Sequence, residues 1–219
     1  MRLLCSARDN PGAVVNELLK FFVVLFVVVD PPSLAPLFAT MTEGGSAAYR
    51  RRMAVKSSVV ALLILLMFAV GGSRFIGIMG ISIDAFRIGG GIMLFLIALD
   101  MVFAREEKTT PEEKAETRRR ADISVFPLAF PLIAGPGTLA TVLMTFGGAP
   151  RSPLLYAGML AVMVLVIAVA LVFMLATPLV MRVLGVTGAN VLARVAGVVL
   201  AALGVQFVID GLKGAFALA

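Results

Sequence analysis

The chain contains no histidine and no tryptophan, and its single cysteine is Cys5. One thiol forms no internal disulfide, and no Cys/His set stands at metal-ligand spacing, so zinc sites and histidine-ligated haem are excluded. Histidine-based acid–base schemes and the Ser-His-Asp triad go with them. No nucleophile–base pair is evident either, so the expectation is not an enzyme, with no metal and no cofactor. Charge is also scarce: 15% of the 219 residues are Asp, Glu, Lys or Arg, against about 25% in a soluble domain. Residues 57–73, 123–150 and 152–181 carry none. Arg2, Arg8, Asp9, Glu17 and Lys20 break up the first twenty residues, so no cleavable signal peptide is expected.

What the chain has in excess is apolar surface: 60% of its residues are hydrophobic and the mean hydropathy is +1.04. Charge-free runs of this length cross a hydrocarbon core of roughly 30 Å, which takes about 20 helical residues. Barrel strands alternate polar and apolar residues, and these runs do not. The fold class is therefore all-α integral membrane. The net charge of +6 does not signal a nucleic-acid partner. Twelve of the 32 charged residues lie between Arg105 and Asp122, six basic and six acidic, so the stretch cancels itself and reads as a solvated connector.

Six spans follow, at about 14–41, 55–72, 87–104, 123–146, 153–176 and 191–212. The connector divides them into 1–104, 105–122 and 123–219, three spans on either side. At an offset of 105 residues, Asp30-Pro31-Pro32-Ser33-Leu34-Ala35 falls on Gly135-Pro136-Gly137-Thr138-Leu139-Ala140, and Gly80-Ile81-Ser82 on Gly185-Val186-Thr187. At an offset of 107, Arg87 meets Arg194 and Gly90 meets Gly197. This reads as a duplication, and three spans per unit invert the second unit relative to the first, the plan of many secondary transporters. The 1–2, 3–4 and 5–6 connections hold twelve Lys and Arg against seven on the other side. That bias predicts both termini outside and the connector in the cytoplasm.

Spans one and four carry features that a plain membrane helix avoids. Entering near Leu18, the chain reaches Asp30 after about 18 Å at roughly 1.5 Å per residue, near the bilayer midplane. Pro31 and Pro32 remove two backbone donors, so the helix stops there and restarts with Asp30 as N-cap and Pro31 first in the helix. Gly135-Pro136-Gly137 interrupts span four at matching depth. Breaks inside a membrane are tolerated only where protein buries them or a polar cavity lies alongside. Restarting half-helices offer amides and a positive dipole end to a carboxylate, and stopping ends offer carbonyls to an ammonium or Na⁺. Asp30, Pro31, Pro32, Ser33, Gly135, Pro136, Gly137 and Thr138 are thus the candidate substrate-binding residues, with Asp30 also the ion-coupling candidate. Arg87, Asp100, Arg194 and Asp210 are gate or capping candidates. Gly197, Gly204 and Gly211 recur every seven residues and read as a close-packing face.

Asp30-Pro31 followed by Pro36, Pro131-Leu132-Ile133-Ala134-Gly135-Pro136-Gly137, and Gly80-Ile81-Ser82 through Arg87-Ile88-Gly89-Gly90-Gly91 with Ala98-Leu99-Asp100-Met101 resemble the signature stretches of the MarC family of bacterial inner-membrane proteins. The resemblance covers about residues 15–215. Ser33 and Leu34 stand where the family pattern reads Gly-Asn. SnatA-type members imply transport of small neutral amino acids such as glycine and alanine, coupled to cations. The expected function is alternating-access transport of a small zwitterion across a bacterial inner membrane, with H⁺ or Na⁺ coupling left open. The alternatives are a drug or metabolite efflux protein and a non-transporting membrane scaffold. The expected partners are a small-molecule substrate and the lipid bilayer.

Overall fold

The computed structural model describes residues 11–103, 122–147 and 152–216. Apart from Asp122, the connector lies outside them. Two helices, α1 (Pro11–Val29) and α2 (Pro31–Met41), form the first span, broken at Asp30. Next come α3 (Ala47–Ile78) and α4 (Ile83–Phe103). An irregularly wound segment, α5 (Ser124–Ile133), and α6 (Pro136–Phe146) make a span bent by 58°. The last two are α7 (Pro153–Leu175) and α8 (Thr177–Ala215). Five stretches are long and apolar enough to cross a membrane, and the bent pair makes six. Lipid-length apolar surface faces outward, as at Val70, Ile78, Leu154 and Val183.

Expectation and structure part company in the first half of span four, expected as a plain helix before Gly135. Phe126 (φ −126°, ψ 126°) and Phe130 (φ −134°, ψ 130°) are extended, because each precedes a proline that bars the helical region to its neighbour. Pro127 and Pro131 therefore unwind α5 well ahead of the break. Span six lies where expected, at Asn190–Ala215, and α8 extends back from it to Thr177 across a kink at Gly185 (φ 62°, ψ 179°).

Gly185 stands 105 residues after Gly80, which also has positive φ (72°) in the turn between α3 and α4. Only glycine enters that region without steric cost. Helix starts match as well. Ser46 Oγ accepts the Tyr49 N–H at 3.2 Å to cap α3, and Ser152 Oγ accepts the Leu155 N–H at 3.4 Å to cap α7. Packing follows the same pattern. Element α1 lies on α7 as α5 lies on α3, α2 on α8 as α6 on α4, and α2 on α7 as α6 on α3. The two remaining large contacts, α3 with α7 and α4 with α8, pair each helix with its own counterpart. The pattern departs from symmetry at α1, which also packs on α6 and α8.

The α4–α8 contact rests on glycine. A Cβ on Gly91 would lie 2.6 Å from the Gly204 carbonyl oxygen, one on Gly197 3.0 Å from Met101 Cβ, and one on Gly211 2.7 Å from Ile88 Cγ1. Backbones this close gain dispersion and short polar contacts that larger residues prevent. The seven-residue glycine face reads as expected.

Candidate functional site

Both breaks are enclosed by protein. Val29, Asp30 and Pro31 are buried at the first, and Ile133, Ala134, Gly135, Gly137 and Thr138 at the second. They meet through Val28, whose Cγ1 is 3.4 Å from where a Cβ on Gly137 would stand. Leu94 of α4 also packs directly on Gly137. Leu94 and Val28 thus close over the start of α6.

At the first break Asp30 is left-handed (φ 47°, ψ 62°). Its N–H donates to Phe26 O at 2.9 Å, ending α1, and its carbonyl accepts from Ser33 N–H at 3.1 Å and Leu34 N–H at 3.3 Å, starting α2. The backbone of one residue therefore terminates both helices. Two expectations fall here. Asp30 occupies the N-cap position but its side chain makes no cap bond, and α2 offers no free amide to an anion. The reason is local: Pro31 and Pro32 have no N–H, and the next two amides are taken by the Asp30 carbonyl.

The same prolines leave the Val27 and Val28 carbonyls without the donor four residues on that a helix supplies. Ser33 is the polar neighbour of the Asp30 carboxylate, yet Asp30 Oδ2 and Ser33 Oγ are buried with no hydrogen-bond partner. This break is a cluster of acceptors.

The second break has the opposite character. Gly135 stands where a Cβ would collide with the Pro131 carbonyl oxygen, so glycine is needed for the close approach. Ala134 N–H donates to Ala129 O at 2.8 Å, and Thr138 Oγ1 donates to Ile133 O at 3.0 Å. Pro136 has no N–H, and Leu139 N–H closes on Gly135 O at 2.9 Å. Between them, the Gly137 and Thr138 N–H groups form no backbone hydrogen bond. These are the donors of a helix N-terminus, carrying the positive end of its dipole.

The four gate candidates separate. Arg87 and Asp210 line one cavity of about 320 Å³ together with Glu17, Lys20, Thr141 and Thr145. Arg87 Nη1 is 3.2 Å from Asp84 Oδ1, and Asp210 Oδ1 accepts from Gln206 Nε2 at 2.8 Å. Asp100 and Arg194 are exposed and line no part of it. Sequence reading missed Glu17, Lys20, Thr141 and Thr145. Their signal was spacing: three residues apart on α1 and four apart on α6, each pair on one helix face.

A second missed feature joins the two halves. Lys56 Nζ of α3 pairs with Asp122 Oδ2, and Asp122 Oδ1 accepts the Ser124 N–H at 3.0 Å and its hydroxyl. The hydrogen bond from Lys56, then those from Ser124, hold the Asp122 carboxyl far below its usual range.

Six apolar spans with two breaks buried in protein define a multi-pass α-helical integral membrane protein. Comparison with known proteins sharpens this. Residues 15–216 match the MarC family, described as MarC family integral membrane protein. The chain is 36% identical over 199 residues to the UPF0056 membrane protein YhcE of Escherichia coli, covering 90% of this chain and 92% of that one. It is 39% identical over 196 residues to a UPF0056 membrane protein of Aquifex aeolicus (89% and 91%) and 37% over 198 residues to YvbG of Bacillus subtilis (89% and 93%). No solved structure matches. The chain belongs to the MarC family.

Proposed function

We propose that this protein is a secondary transporter of a small neutral zwitterion such as glycine or alanine, working by alternating access, and not an enzyme. The observation that carries the reading is the opposite chemistry of two adjacent buried breaks. Asp30 Oδ2, Ser33 Oγ and the Val27 and Val28 carbonyls suit an ammonium group. The Gly137 and Thr138 amides at the start of α6 suit a carboxylate. A molecule bearing both charges a short distance apart satisfies both ends. A buried carboxylate with one oxygen left unpartnered is costly in a membrane protein unless a cation or proton joins it. Asp30 is accordingly the proposed coupling group for H⁺ or Na⁺. An inverted repeat of the two halves, with one break in each, would supply the two related arrangements that alternating access needs.

The site is covered by Leu94 and Val28, so loading requires α4 or α1 to shift. The same packing favours a second reading, a non-transporting scaffold. Asp30 separates the two, since a scaffold has no use for a carboxylate oxygen left unpartnered at its core. The proposed setting is an inner membrane, with both termini outside and the connector in the cytoplasm, a reading that the charge bias of the loops supports.

Purified protein in proteoliposomes is expected to accumulate labelled glycine or alanine under an imposed Na⁺ or pH gradient. Accumulation no higher than in protein-free liposomes under either gradient contradicts the proposal.

A further inference from the structure

The cavity holding Arg87 and Asp210 is separate from the breaks. Val24 on its wall lies six residues before Asp30, and Thr141 six after Gly135. At roughly 1.5 Å per helical residue, Val24 stands about 9 Å short of Asp30 and Thr141 about 5 Å beyond the Thr138 amide. Five helices build it: α1 gives Glu17 and Lys20, α4 gives Arg87, α6 gives Thr141 and Thr145, α7 gives Met159, and α8 gives Asp210. It lies where α1 makes its extra contacts with α6 and α8.

We propose that this cavity is a second, peripheral binding site for a zwitterion with an aliphatic side chain, distinct from the site at the breaks. The inference rests on the transport reading for the ligand's class, and on the cavity for the site itself. Its charged lining is two acids and two bases, so neither a lone anion nor a lone cation is favoured, whereas a molecule carrying both charges is complemented. Arg87 engages Asp84 through Nη1, and a guanidinium has five donors, so carboxylate recognition remains open to it. Gln206 occupies Asp210 Oδ1, and a carboxylate accepts several further hydrogen bonds, here from an ammonium. Thr141 Oγ1 donates to Gly137 O at 2.9 Å, so its lone pairs are what it presents.

The remaining wall is apolar, with Phe21, Val24, Met159 and Phe207. A volume of about 320 Å³ is at the lower end of the roughly 300–1,000 Å³ of small-molecule sites. A bare glycine leaves that wall unused. The leucine side chain has apolar surface to bury against it, so leucine is expected to bind here at lower concentration than glycine.

The corresponding charges of the second half are arranged differently. At the repeat offsets Glu17 corresponds to Asp122 (17 + 105) and Arg87 to Arg194 (87 + 107). There Asp122 is held by Lys56 and Arg194 is exposed.

The test is local to the cavity and independent of transport. In the full-length Cys5→Ser protein, Thr145→Cys places one thiol on the wall, and its alkylation by a small water-soluble maleimide is timed. L-Leucine is expected to suppress labelling along a saturating curve, at lower concentration than glycine, while acetate and methylammonium leave the rate unchanged. Arg87→Gln is expected to raise the half-protecting leucine concentration about tenfold, the weight of one charge-assisted hydrogen bond. Asp30→Asn is expected to leave protection intact. Should Thr145→Cys not fold, Met144→Cys lines the same cavity. The proposal is overturned by a thiol unreactive at both positions, by labelling indifferent to leucine, by equal protection from acetate, or by protection lost in Asp30→Asn. Loss of transport with protection retained overturns the transport reading alone.

Discussion

Gly91 and Gly204 meet backbone to backbone: a Cβ on the first would stand 2.6 Å from the Gly204 carbonyl oxygen, and one on the second 2.7 Å from that of Gly91. This reciprocal contact fixes how close α4 and α8, each the repeat counterpart of the other, can come.

Gly204→Val is therefore expected to destabilise the protein by about 1–3 kcal/mol, the usual cost of overpacking. Gly89→Ala is the matched control, since nothing lies within 4 Å of a Cβ there. Thermal unfolding in detergent, followed by size-exclusion chromatography, should separate the two variants. Equal midpoints would show that the glycine face does not set the packing.

The ion pair of Lys56 with Asp122 ties the first half to the start of the second. The Asp122 carboxyl titrates lower in the folded protein than its ordinary value of 3.8. A lowered folded value means that its contribution to stability is present above pH 3.8 and fades as pH falls below it. Wild type should melt above Asp122→Asn at neutral pH, with the gap narrowing as pH falls below the carboxylate range. Both partners are exposed, so the gap is expected to be small and to shrink in high salt. A gap independent of pH and salt would assign Asp122 a purely packing role.

Gly135→Ala puts a methyl group into the Pro131 carbonyl oxygen. The bend of 58° between α5 and α6 cannot be kept with that contact, so the variant is expected to lose transport while Gly77→Ala, in α3 where nothing lies within 4 Å of a Cβ, affects transport less. Uptake in proteoliposomes at matched protein levels measures this, and equal uptake by the two variants would remove the second break from the site.

The proposed orientation is tested by fusing, after Ala219, a reporter enzyme active only outside the cytoplasm. Activity is expected. An active fusion within the connector 105–122 and an inactive one at Ala219 would reverse the assignment.

The spans were legible because apolar runs and Gly/Pro punctuation are local properties of the chain. The first break was placed at Asp30 for the right reason, the missing N–H groups of Pro31 and Pro32. The same fact overturns the expectation that α2 offers amides, since the Ser33 and Leu34 N–H groups turn back to the Asp30 carbonyl. Unwinding at Phe126 and Phe130 was readable too, because Pro127 and Pro131 restrict the residue before them, but hydropathy alone treats such prolines as part of an apolar run. The cavity was not legible. Glu17, Arg87, Thr141 and Asp210 come from four helices and belong together only once α1 packs on α6 and α8, which no local pattern encodes.

The central claim is that Asp30 meets the ammonium end of a zwitterion, or its coupling cation, between the two breaks. Uptake of labelled glycine and alanine into proteoliposomes by wild type and by Asp30→Asn, whose side chain has the same shape without the charge, tests it most directly. The account predicts uptake reduced about tenfold or more in a protein that still elutes as a folded species. Undiminished uptake by Asp30→Asn would contradict it.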